Sequence, residues 1–142
     1  MNKIDPNAVW QRVQKPAEPA QDLLPLLQQV QEDLAFCNRI SRWLPENLRE
    51  PFRQLYRQEQ HQLNCLGGIC RLLTAQTPSP PPIPPREPAE VVLRRYYGRL
   101  LRRFRQYEGL LSDPQFGPVF AHLARQTREE MALLLELLGL LP

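Results

Sequence analysis

At 142 residues the chain has the length of one domain and enough sequence to bury a sizeable core. Leucine dominates its apolar content and glycine is scarce, which favours helices over a sandwich or barrel, while a formal charge of +3 falls short of a dedicated nucleic-acid binder. No apolar run reaches the ~18–20 residues of a membrane span, and an odd count of three cysteines without a signal peptide reads as reduced thiols in a cytoplasmic protein.

Residues 1–21 are polar, contain Pro6, Pro16 and Pro19 and show no sustained period, so they read as a flexible arm with Val9, Trp10 and Val13 as an anchor. Residues 22–142 read as one bundle domain. Its first helix is expected over residues 22–44, with Asp22 as N-cap. The apolar stripe is Leu23, Leu27, Val30, Leu34, Cys37, Ser41 and Leu44, and Pro45 ends the helix. A second helix starts between residues 46 and 51 and reaches about residue 75. Its stripe, Phe52, Leu55, Glu59, Gln62, Leu66, Ile69 and Leu73, carries two polar residues in its middle. Gly67 and Gly68 within it suggest the close approach of a neighbouring helix, with a kink as the other reading.

Residues 77–88, TPSPPPIPPREP, hold seven prolines and cannot propagate a helix. As polyproline II at roughly 3.1 Å per residue they span about 40 Å, the length of a long helix. This reach suits the long crossover of a four-helix bundle, and a crossover accounts for the prolines without a PxxP-binding partner. A third helix is expected over residues 89–111 with stripe Leu93, Tyr97, Leu100, Phe104, Tyr107 and Leu111. Arg94, Arg95, Arg99, Arg102, Arg103 and Arg105 are assigned to its outer surface. A fourth, under way by Pro118, has the stripe Phe120, Leu123, Thr127, Glu130, Leu134, Leu137 and Leu141. The halves repeat weakly: at an offset of 67, Ile40 matches Tyr107, Leu44 matches Leu111 and Pro51 matches Pro118. The fold expected is therefore all-α: two helical hairpins joined by a proline-rich crossover.

The segments LLPLLQQVQEDLAF in the first half and RRYYGRLL…YEGLLSDPQFGPVFAHLA in the second resemble the rubrerythrin branch of the ferritin-like superfamily, over roughly 120 residues. The resemblance implies a di-metal centre: one Glu from each of two helices and a Glu-x-x-His from each of the other two. Carried over position by position, the first glutamate falls on Asp33. The second helix offers either Gln58 and His61 or Glu59 and Gln62. The third glutamate falls on Leu100, which cannot ligate, and the last pair on Thr127 and Glu130. The metal candidates are thus Asp33, Glu59, His61 and Glu130, vestiges of such a centre, with iron or manganese the metal if any cofactor is bound at all.

Two other constellations carry chemistry. His61 and Cys65 share a helix face, Cys37 could lie across from them, and such residues suit zinc or copper. The arginines of the third helix could bind phosphates, but at helical spacing they read as a solvated face, so a nucleic-acid partner is not expected. His122 reads as a lone surface residue. There is no G-x-S-x-G, P-loop, Gly-rich dinucleotide fingerprint or C-x-x-C. The function expected is that of a non-catalytic structural or interaction protein. Its leucine excess, including Leu133, Leu135, Leu138 and Leu140, predicts a homodimer through the fourth helix. The alternative is a di-iron or manganese redox or metal-storage protein with substituted ligands.

Overall fold

A computed structural model describes residues 20–73 and 85–141. They form four helices and, among the described residues, no strand: α1 (Ala20–Ile40), α2 (Glu46–Leu73), α3 (Ala89–Glu108) and α4 (Gly117–Leu140). Helix α1 begins two residues before Asp22, which therefore lies inside the first turn rather than at the N-cap position. It also ends four residues early, in a turn where Trp43 and Leu44 bond back to the Ile40 carbonyl. The expected arm over residues 1–21 lies outside the described residues except where α1 overlaps it, and residues 77–84 of the proline-rich stretch also lie outside them.

Helices α1 and α2 form one hairpin and α3 and α4 the other, with α1 packed on α3 and α2 on α4 between the hairpins. Two apolar clusters give the directions. One joins the start of α1, the ends of α2 and α3 and the start of α4, through Leu23, Leu66, Tyr107 and Phe120. The other joins the end of α1, the starts of α2 and α3 and the end of α4, through Ile40, Phe52, Leu93 and Leu134. Each helix thus runs antiparallel to both neighbours it packs against, while the diagonal pair α2 and α3 runs parallel.

The buried stripes explain the packing. In α2 every expected stripe residue is buried, at alternating steps of three and four from Phe52 to Leu73, the spacing that keeps one seam facing neighbouring helices. In α4 the stripe holds from Phe120 to Leu137. In α3 the seam is turned by one residue. Tyr96 and Arg103 are buried where Tyr97 and Phe104 were expected, so Arg103 is a core residue and not part of the outer surface. In α1, Asp33 is buried and Leu34 only partly so.

Two turns are set by specific groups. Between α3 and α4, Asp113 Oδ1 accepts from the backbone amides of Gln115 and Phe116, both at 2.9 Å, an Asx-type anchor for the start of α4. Gly117 follows at a close approach: a Cβ there would lie 2.5 Å from the Leu111 carbonyl oxygen. The expected close approach at Gly67 and Gly68 is not found. Among the described residues a Cβ at either would meet nothing within 4 Å, so these glycines make room for no described neighbour.

Candidate functional site

Between the two apolar clusters, at mid-height of the bundle, lies a layer of polar side chains with no solvent exposure: Asp33 from α1, Glu59 and Gln62 from α2, Arg103 from α3, and Thr127 and Glu130 from α4. Each occupies a seam position of its helix, so the spacing that buries leucine above and below buries charge here. Burial of a lone charge costs several kcal/mol, about 1.5–3 of which a single charged hydrogen bond restores. The layer has to be internally paired.

Arg103 pairs it. Its guanidinium donates to Glu59 Oε1 at 2.7 Å, to Gln62 Oε1 at 3.3 Å and to Asp33 Oδ2. Arg99, one turn earlier and half-buried, donates to Asp33 Oδ1 and, at 2.8 Å, to Glu32 at the rim. Gln62 then links the helices. Its Oε1 also accepts from the Tyr107 hydroxyl at 2.7 Å, and its amide nitrogen donates to Thr127 Oγ1 at 3.1 Å and Glu130 Oε1 at 3.0 Å. Thr127 in turn donates to the Leu123 carbonyl at 2.8 Å. Since a carboxamide has one acceptor oxygen and one donor nitrogen, Gln62 serves two donors and two acceptors at the point where three helices meet.

The protonation states follow from the same contacts. Burial pushes the Glu130 carboxyl well above the usual carboxylate range, and the negative Glu59 beside it pushes further. Burial also pushes Glu59 up, but Arg103 and the hydrogen bonds Glu59 accepts outweigh it and hold that group below its ordinary value. For Asp33 burial wins against the pull of Arg103, with the charge of Glu59 adding to it, and its carboxyl is raised. Glu130 is therefore the carboxyl of the set pushed furthest towards its neutral form. The second oxygens of Glu59 and Glu130 both lack a donor among heavy-atom contacts. A proton on Glu130 Oε2 directed at Glu59 satisfies both at once, the arrangement two adjacent buried carboxyls adopt when they cannot both ionise. Burial likewise holds the phenols of Tyr96 and Tyr107 and the thiol of Cys37 protonated, each with its pKa raised.

Of the four residues expected at a metal centre, the structure brings Asp33, Glu59 and Glu130 together and leaves His61 out. With Glu59 and Gln62 facing the core, the register of α2 turns Gln58 and His61 away, and His61 is exposed. Leu100 is fully buried in apolar surroundings and supplies no ligand. The residues present do not fit a di-metal centre. No imidazole faces the layer, the fourth-helix position carries a hydroxyl already committed to backbone, and two of the three carboxylates are bound to a guanidinium. Cys37 also departs from expectation. It is buried in the cluster at the far end of α1 and does not face His61 and Cys65. His122 does face them: its Nε2 is 3.2 Å from His61 Nε2.

Arg103 is the residue that sequence reasoning missed. The signal was present across helices, because three carboxylates at seam positions of α1, α2 and α4 require a buried cation. In α3 the series Leu93, Tyr96, Leu100, Arg103, Tyr107 has the same three–four spacing.

The fold and this layer together define a four-helix bundle with a charged, hydrogen-bonded core, and none of its helices is long and apolar enough to cross a membrane. Comparison of the chain with protein-family models, with characterised proteins and with solved structures returns no match.

Proposed function

We propose that this chain is a ferritin-like bundle whose di-metal chemistry has been replaced by an internal guanidinium, and that it acts as a structural or interaction protein without catalysis. One observation carries the reading: Arg103 lies between Asp33 and Glu59 at the centre of the bundle, where a cation bridging those carboxylates would have to sit. The antiparallel neighbours and the parallel diagonal of α2 and α3 support the ferritin-like topology, which requires residues 74–88 to carry the chain from one end of the bundle to the other. In such a core an ion-paired polar layer favours one helix register over others, since a shift of register would strand a buried charge.

The partner most consistent with the surface is a second copy of the chain. Leu133 and Leu138 are partly buried against the core, but Leu135 and Leu140 remain exposed on α4 at 54% and 57%. That is a smaller excess than the sequence implies, and it supports a modest dimer contact through this helix.

Metal content tests the proposal. The tag-free protein, purified from cells grown with added iron and manganese, is expected to carry neither in its core. Two iron or manganese ions per chain would overturn it and favour a redox or storage protein with substituted ligands. Sedimentation tests the contact, with wild type expected to dimerise at micromolar concentration and Leu135→Glu/Leu140→Glu expected to be monomeric.

A further inference from the structure

The seam between α2 and α4 carries a second group of ligating side chains, outside the core layer. His61 and Cys65 stand one turn apart on α2, and His122 meets them from α4. The two Nε2 atoms are 3.2 Å apart, and Cys65 Sγ lies 3.6 Å from the same His61 Nε2. The two imidazoles stand edge to face, with planes at 88° and centroids 5.3 Å apart. Both histidines are exposed and Cys65 is half-buried, so the cluster is open to solutes.

These separations match those of ligands on a small tetrahedral cation. Zinc holds imidazole nitrogen at about 2.0–2.1 Å and thiolate sulfur at about 2.3 Å, which places neighbouring nitrogens about 3.3 Å apart and nitrogen and sulfur about 3.6 Å apart. As the side chains stand, no three ligating groups among the described residues enclose one point. His61 Nε2 nevertheless already lies at ligand–ligand distance from both of the others, and binding would require the exposed imidazoles and the half-buried thiol to turn until all three donors face one point. Burial pushes the Cys65 thiol up, so a cation would bind by displacing its proton. Imidazole and thiolate donors select zinc and its chemical analogues over the hard cations magnesium and calcium.

We propose that His61, Cys65 and His122 form a surface site for one zinc-like divalent cation, with water as the fourth ligand. Bound there, the cation would join α2 of one hairpin to α4 of the other. The site is independent of the core layer and of the function proposed above.

Cobalt(II) titration of the reduced, tag-free full chain tests this. The expected result is one cobalt per chain, a thiolate-to-cobalt charge-transfer band, visible bands of tetrahedral intensity, and displacement of all of them by zinc. Cys65→Ser should abolish the charge-transfer band. His61→Ala and His122→Ala should each weaken binding by at least about tenfold, the low end of the effect of losing even an outer-shell partner. Both histidines are exposed and Cys65 packs against the edge of an apolar cluster, and far-UV circular dichroism verifies that the variants fold. Zinc at about one hundred times Kd should also raise the Tm of wild type by several degrees and leave that of the double histidine variant unchanged. A wild-type spectrum without the thiolate band would overturn the proposal, as would a band that survives Cys65→Ser or keeps its affinity in His61→Ala/His122→Ala.

Discussion

Replacing Arg103 by methionine keeps most of the side-chain volume and removes the central cation. Asp33 retains Arg99, but Glu59 loses the guanidinium bonded to it at 2.7 Å, in a position with no solvent exposure. Breaking a buried pair from one side costs about 3–5 kcal/mol, because the remaining charge is left without a partner. Against a total stability of roughly 5–15 kcal/mol for a domain, that is a large share. Urea unfolding followed by far-UV circular dichroism at pH 7 should show the loss as a lower midpoint with little change in slope. The deficit should shrink towards pH 4. In wild type the depressed Glu59 contributes stability that is present above its ordinary value of 4.5 and is lost as the pH falls. In the variant, protonation of Glu59 removes the unpaired charge. Adding Glu59→Gln to Arg103→Met should restore about 2 kcal/mol, since a neutral amide no longer needs the cation. A variant within about 1 kcal/mol of wild type at pH 7, or a second substitution that restores nothing, would refute the central role given to this guanidinium.

Glu130→Gln tests the neutral acid. A carboxyl raised in the folded state contributes stability that is fully present below its unfolded value of 4.5 and is lost as the pH rises towards its folded value. Glutamine keeps the acceptor for Gln62 and supplies a donor towards Glu59, so the variant should match wild type near pH 4.5 and exceed it increasingly above, by up to ~1.4 kcal/mol per pH unit. Parallel stability–pH curves for the two proteins would show Glu130 to be ionised. Gly117→Ala should destabilise by about 1–3 kcal/mol in the same unfolding assay, because its Cβ would stand 2.5 Å from the Leu111 carbonyl oxygen. Gly68→Ala, where a Cβ meets nothing within 4 Å, should instead stabilise by roughly 1 kcal/mol.

How much of this was legible in the sequence differs by helix. In α2 and α4 the apolar residues at three–four spacing are distinct from their neighbours, so hydrophobicity alone identifies the buried face, including Glu59, Gln62, Thr127 and Glu130 within it. In α3, Tyr96 and Tyr97 are adjacent and Phe104 follows Arg103. Hydrophobicity therefore selects Phe104 and turns the helix by one residue, and what decides for Arg103 is the demand of carboxylates on other helices. Asp33 against Leu34 in α1 is the same error with the opposite charge. His61 and His122 are 61 positions apart, and their meeting depends on how the two hairpins are set against one another. No single-helix period contains that information.

The charge balance of the layer explains why it can be stable without a metal. Fully buried Arg103 and half-buried Arg99 bring two positive charges; Asp33 and Glu59 bring two negative ones, and burial beside Glu59 pushes Glu130 towards its neutral form. Glu32, partly exposed at the rim, adds its charge where water can screen it. With half-buried Arg99 counted, the layer is thus close to neutral and most of its hydrogen bonds are filled, and a proton on Glu130 directed at Glu59 would fill two of the remaining gaps. A pair of divalent cations would add four positive charges to a layer already balanced and would have to expel a fully buried guanidinium into an apolar bundle. Removal of Arg103 alone does not reverse this, because Leu100 and Thr127 still leave two of the implied ligand positions empty of carboxylate. Arg103 is the counter-ion that Asp33 and Glu59 share at the centre of the bundle, which makes it a determinant of the fold's register and stability.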